Sequence, residues 1–252
     1  MSRPAFLLLH GAWAGRWVWD GVAPRLEGAG HAVVAPDLPG RPPWAETDAV
    51  TASDMADHAL AALAGRAGPF VIVGHSGGGI IATMVAERLV TRQPGSVAGV
   101  VFLAGMMLPS GMGFPEACTI AGAPPPQGIE PFLRPTADGL GTFVPPEAAE
   151  AIFFQCADPS DARAASARLN AQRNTSWMIA PTWTAEGAGT VRRLYIEALQ
   201  DRSVPLAVQR TMQRLVTGAG VATLDTDHAP QLSCPDRVAE LLLDFADTCG
   251  RP

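Results

Sequence analysis

The segment Gly74-His75-Ser76-Gly77-Gly78 constrains this chain more than any other. A short β-branched run at 70–73 leads into it, and a run with helical character at 78–90 leads out. A Gly-x-Ser-x-Gly pattern between a strand and a helix is a sharp turn that holds the serine in a strained backbone conformation and exposes its hydroxyl. Small residues must flank it, because a side chain at Gly74 or Gly78 would collide with the neighbouring strand or helix. The unpaired N–H groups at the helix start carry the positive end of the helix dipole, so they suit a developing oxyanion. The alternative is a glycine-rich turn that binds phosphate or merely packs. It loses ground because no Gly-Lys-Ser/Thr follows and no G-x-G-x-x-G spacing fits.

Around this turn the chain alternates short apolar strands with helical patterns. Strands are expected at 5–10, 31–35, 70–73 and 97–103, and helices at 17–28, 53–64 (with Ser53 as N-cap) and 78–90. After Ala104 the texture changes. From Pro109 to about Thr190 the chain is rich in Pro, Gly and scattered aromatics, with helical pieces at 146–154 and 160–173. The alternation resumes with a strand at 191–196, a helix at 204–216, a strand at 221–224 and a helix at 235–246. Strands buried on both faces between helices predict an α/β architecture, a mostly parallel sheet covered by helices. Residues 1–108 and 191–252 then form the core, and 109–190 an inserted lid.

A chain of 252 residues, 48% hydrophobic and 17% charged, has ample material for one such core. The formal net charge is −6, all eighteen basic residues are arginine, and no basic cluster occurs, so a nucleic-acid partner is not expected. The apolar segment near the N-terminus, 5–9, is too short for a signal sequence or a membrane span. Cys118, Cys156, Cys234 and Cys249 form no C-x-x-C pair and no metal spacing, so neither a metal nor another cofactor is expected. The expectation is a soluble, reduced, cytoplasmic protein with no membrane partner. A Cys234–Cys249 disulfide and a homodimer stay open.

A serine nucleophile needs a base, and the base an orienting acid. Of five histidines only His228 lies downstream of Ser76, in the loop after the last expected strand. His10, His31, His58 and His75 read as structural, with His10 bracing the turn after the first strand. The acid should follow the 191–196 strand, where Glu197 and Asp201 are the candidates. Glu197 sits at the strand end and could pair with an arginine, so Asp201 is favoured. A salt bridge to Arg202 or a helix N-cap would be its neutral role. Asp225 and Asp227 suit a loop or solubility role. A second oxyanion donor belongs to the loop after the first strand, so the backbone N–H of Ala12 would act with that of Gly77, and Gly11 lets the backbone approach closely.

These residues resemble the α/β-hydrolase superfamily, and within it the branch of plant methyl esterases, hydroxynitrile lyases and related bacterial esterases. The resemblance runs over nearly the full length, weakest in the lid. It rests on Leu9-His10-Gly11-Ala12-Trp13 with Trp17 and Trp19, Gly30-His31, Pro36-Asp37-Leu38, the Ser76 turn, Leu108-Pro109-Ser110-Gly111 and Asp227-His228. It implies Ser76 as nucleophile, His228 as base, Asp201 as acid, and Ala12 and Gly77 as oxyanion donors. The lyases carry a lysine directly after the histidine and a threonine at the position of Gly11. Here Ala229 follows His228 and the chain has no lysine, so ester hydrolysis is favoured over cyanohydrin cleavage.

The lid carries Phe132, Phe143, Phe153, Phe154, Trp177, Met178 and Trp183, with Met106 and Met107 at the sheet edge beneath. A small-molecule, partly apolar ester is the expected partner, in a pocket that includes Gly11, Trp13, Met106, Phe153 and Trp177. Arg134, Arg163, Arg168 and Arg173 could bind a substrate carboxylate. The remaining readings are a lactone, thioester or C–C bond hydrolase, or a slow or inactive small-molecule receptor on the same scaffold.

Overall fold

The computed structural model describes residues 3–43, 49–176 and 179–249. The chain begins with strand β1 (Ala5–Leu9), a 3-10 turn (Arg16–Trp19), helix α1 (Ala23–Gly28) and strand β2 (Val33–Val34). Helix α2 (Ala52–Ala61), strand β3 (Phe70–His75), helix α3 (Gly78–Arg92) and strand β4 (Val97–Leu103) follow. The helix expected over 17–28 is broken, because Pro24 has no N–H to give a continuous helix and instead opens α1. Thr51 rather than Ser53 caps α2. Its hydroxyl accepts from the Asp54 N–H while Asp54 accepts from the Thr51 N–H, a reciprocal box that fixes the helix start.

The segment after β4 carries helix α4 (Phe114–Ile120), short strands β5 (Arg134–Pro135) and β6 (Gly141–Phe143), helices α5 (Pro146–Ile152) and α6 (Pro159–Ser166), and strand β7 (Gln172–Arg173). β5, β6 and β7 pair antiparallel in a small sheet of their own. The helix expected to 173 stops at Ser166, because Gln172 is drawn into this sheet opposite Thr142. Strand β8 (Arg193–Ala198), helix α7 (Leu206–Leu215), strand β9 (Ala219–Leu224), the short helix α8 (Pro230–Ser233) and helix α9 (Pro235–Cys249) complete the chain.

Among the described residues the main sheet has six strands in the order β2-β1-β3-β4-β8-β9, every pair parallel. Alternation along the strands splits the core in two. Leu7, Leu9, Ile72, Val100 and Phe102 pack on one side with Met55, Ile80, Ile81 and Val85 of α2 and α3. Phe6, Leu8, Val71, Val73, Val101 and Leu103 pack on the other with Trp19, Leu26, Val238, Leu242 and Phe245. A third cluster joins Trp13 and Ala229 to Ile129, Val144, Phe153 and Phe154 of the 109–190 segment. The chain order reverses across the sheet between β1 and β3, so the loops leaving the carboxyl ends of these neighbours diverge and open a crevice there. No described helix is long and apolar enough to cross a membrane. All four cysteines are free.

Candidate active site

The β3–α3 turn sits at that crevice. Ser76 has φ +52°, a left-handed conformation that costs energy in any residue other than glycine. Its glycine neighbours make the turn possible. A Cβ on Gly74 would lie 2.5 Å from the Gly78 carbonyl oxygen, and one on Gly78 would lie 2.6 Å from the Leu9 oxygen. The strain is held by the Ser76 carbonyl, which accepts from the N–H groups of Gly79 (3.0 Å) and Met106 (2.9 Å).

The loop after β1 packs directly against this serine. A Cβ on Gly11 would stand 2.8 Å from Ser76 Cβ, so no other residue fits without displacing it. A Cβ on Gly77 would lie 4.0 Å from the Ala12 nitrogen, so the two backbone segments adjoin. Among the described residues, neither the Ala12 N–H nor the Gly77 N–H donates to a protein acceptor. His10 locks the loop. Its Nδ1–H donates to the Gly11 carbonyl (2.8 Å), and its Nε2 accepts from the Leu38 N–H (2.9 Å). Burial lowers the His10 pKa to about 4, which keeps it neutral and able to play both parts. Trp13, itself at φ +58°, donates its N–H to Gln172 Oε1 and its indole N–H to Thr142 Oγ1, both 3.1 Å, and accepts from the Asn170 N–H at 2.7 Å. Three bonds from the 109–190 segment thus fix the loop that carries Ala12.

Across the cavity, His228 Nδ1 lies 2.8 Å from Asp201 Oδ2, and both side chains are buried. Asp201 Oδ1 accepts from the N–H groups of Ser203 (2.7 Å) and Val204 (2.8 Å). Asp201 is not the N-cap of α7, which is Pro205; one of its oxygens holds the turn before that helix and the other meets the histidine. Glu197 pairs instead with Arg210 at 3.1 Å. Two rings flank the imidazole of His228: Phe153 at 5.3 Å and His75 at 4.9 Å between centroids. Burial, reinforced by His228, pushes the His75 pKa down to about 3.

Ser76, Gly77, Gly11, Ala12, Trp13, Met106, Phe153 and His228 all border one cavity of about 330 Å³, whereas Trp177 and Met178 lie outside the described residues. Other large apolar residues named with the lid lie elsewhere. Phe132 and Phe143 are exposed, Met107 packs in the core, and Trp183 binds the Leu108 carbonyl through its indole N–H. None of the four named arginines borders the cavity, and Arg168 pairs with Asp20 above the Trp17 ring. Asp227 is fully buried rather than a solubilising residue. It accepts from the Ala229 N–H, the Ser233 hydroxyl and the Cys156 N–H, tying the His228 loop to the 109–190 segment.

Sequence reasoning did not find Gln209. This fully buried side chain exchanges two bonds with the Ala198 backbone, donates to the Val204 carbonyl (2.8 Å) and reaches Asp201 Oδ2 at 3.5 Å. It joins the end of β8 to the loop that carries Asp201. Only its place on the inner face of α7 hinted at burial. No group of residues able to hold a metal occurs among the described residues.

The family model for the alpha/beta hydrolase family matches residues 6–241. The chain belongs to the α/β hydrolase family. It is 32% identical to a pyrethroid hydrolase of Sphingobium wenxiniae, over 98% of this chain and 89% of that protein. It is 27% identical to the polyneuridine aldehyde esterase of Rauvolfia serpentina, over 96% of each. The crystal structure of a pyrethroid hydrolase from Sphingobium faniae superposes with a TM-score of 0.83 at 28% identity, covering 98% of each chain. This α/β hydrolase thus has relatives named as a hydrolase in Sphingobium and as an esterase in Rauvolfia.

Proposed function

We propose that this α/β hydrolase is a serine carboxylic ester hydrolase, with Ser76 as nucleophile, His228 as general base and Asp201 as the acid that orients it. The observation that carries the reading is the buried 2.8 Å contact between His228 Nδ1 and Asp201 Oδ2, with His228 bordering the same cavity as Ser76. Donation from Nδ1–H to the carboxylate leaves Nε2 with the lone pair, the tautomer a base needs. The names of the relatives, a pyrethroid hydrolase and a polyneuridine aldehyde esterase, fit a partly apolar ester as substrate.

In this reading Ser76 Oγ attacks the ester carbonyl while its proton passes to His228 Nε2. The carbonyl electron pair moves onto oxygen, which accepts from the Ala12 and Gly77 N–H groups, neither of which donates elsewhere among the described residues. The tetrahedral intermediate collapses, the C–O bond to the alcohol breaks, and His228 returns the proton to the leaving oxygen. Water, activated by His228, then cleaves the acyl-enzyme by the same steps. Asp201 orients the imidazole and stabilises the imidazolium in each half. Residues 109–190 act as a lid on a core formed by 1–108 and 191–252, supplying Phe153, Phe154 and the anchors of the oxyanion loop. Ala229 in the cavity wall supplies no cation for a departing anion, and Gly11 places no hydroxyl beside Ser76, which favours hydrolysis over lyase chemistry.

Steady-state hydrolysis of p-nitrophenyl butyrate by wild type and Ser76→Ala tests the reading. The expected result is turnover in wild type and a loss of at least about 10³-fold in the variant. Turnover retained in Ser76→Ala would overturn it.

A further inference from the structure

Gln231 lies in α8, three positions after His228, and borders the cavity. It is 1% exposed, and neither its Oε1 nor its Nε2 has a hydrogen-bond partner among the described residues. An amide buried with both ends unpaired is costly, and methionine or leucine would fill the same volume without that cost. Several other polar groups on the wall are engaged within the fold, and of the rest Gln127 Oε1 and His75 Nδ1 have no partner among the described residues, but only Gln231 leaves both ends of an amide unpaired. His10 engages Gly11 and Leu38, and the Gln172 amide engages Trp13 and Ser176. Among the described residues Glu130 is the one carboxylate on the wall, and no arginine borders it. The remaining lining is largely apolar, including Leu38, Met55, Ile81, Phe114, Leu169 and Ile179.

We propose that Gln231 is a specificity-determining residue, selecting esters that are hydrocarbon over most of their length but carry one neutral oxygen function. A ketone, ether or amide oxygen accepts from Nε2–H, and a hydroxyl or amide N–H also satisfies Oε1. Binding then meets a hydrogen-bonding need that the protein leaves unmet. A site built this way discriminates against the analogue that lacks the polar group, because that analogue leaves the amide unpaired. A carboxylate is disfavoured, since among the described residues the wall offers no arginine or lysine and already holds Glu130. The inference rests on the esterase reading above and adds its substrate class.

The test uses two matched ester series. In one, p-nitrophenyl hexanoate is compared with esters carrying a ketone at successive chain positions. In the other, hexyl acetate is compared with acetates of the corresponding keto-alcohols. Each rate is normalised to its alkaline hydrolysis, which removes inductive activation. In wild type, at least one ketone position is expected to exceed its parent in kcat/KM by about tenfold, the value of one net buried hydrogen bond. In Gln231→Met and Gln231→Leu that ratio is expected to fall to within about twofold of one. Parents cleaved by wild type with no ketone preference at any position would overturn the proposal without touching the esterase reading. So would a preference that survives in both variants. If wild type cleaves neither the parents nor any of the ketone esters, the esterase reading fails and this proposal falls with it.

Discussion

His75 and His228 are bound through ring and backbone together: their rings lie 4.9 Å apart at 49°, and His75 Nε2 lies 2.7 Å from the His228 carbonyl oxygen. The residue beside Ser76 in the turn thus donates to the loop that carries the proposed base. With its pKa lowered to about 3, His75 stays neutral and keeps Nε2–H as a donor throughout the working range. Its role is positioning. His75→Phe retains a ring and loses the donor, so kcat is expected to fall about tenfold with KM little changed, and His75→Leu to fall further. Stopped-flow or steady-state rates on an activated ester check this, and unchanged kcat in both variants would remove His75 from the account.

Asp201→Asn replaces an acceptor of the His228 Nδ1–H by a group that can present an N–H instead. The expected cost in kcat is up to about 10⁴-fold, through the wrong imidazole tautomer. The Ser203 and Val204 N–H groups can still donate to the amide oxygen, so the melting temperature is expected to change little. A large loss of rate with an unaltered thermal midpoint separates this role from a purely structural one.

Gly11→Ala puts a methyl carbon 2.8 Å from Ser76 Cβ. Serine or the loop must shift, and a displacement of this kind costs about 10²-fold in kcat/KM. Overpacking adds roughly 1–3 kcal/mol of destabilisation. Chemical denaturation alongside kinetics measures both terms.

Much of the site is legible in the sequence because it is local. Gly74, Ser76 and Gly78 are spaced by the turn itself, and β3 and α3 are marked by their own residue types. The helices over 17–28 and 160–173 are misread for a different reason: Pro24 restarts the first, and long-range pairing of Gln172 with Thr142 ends the second. Gln209, Asp227 and Gln172 hold the site through partners 11, 71 and 159 positions away. Nothing in their immediate neighbours announces these bonds, and a polar residue whose partner is remote reads as a surface residue.

Acid stability follows from the buried histidines. His10 has a folded pKa of about 4 against 6.5 in an unfolded chain. The unfolded state therefore binds a proton first as pH falls. The stability held by neutral His10 is fully present above 6.5 and drains away toward pH 4, by about 3 kcal/mol. His75 acts in the same direction over a window that reaches lower, to about 3. Denaturation midpoints are expected to drop between pH 7 and pH 5, above the range where carboxylates titrate. Midpoints flat across that interval would mean these histidines are not buried neutral.

The most direct measurement is covalent labelling with a fluorophosphonate probe, the adduct mapped by mass spectrometry in wild type, Ser76→Ala and His228→Ala. One stoichiometric adduct on Ser76, absent from Ser76→Ala and strongly slowed in His228→Ala, is the expected result. A folded wild-type protein that takes no label, or a label that persists in Ser76→Ala, would contradict an activated serine at the β3–α3 turn.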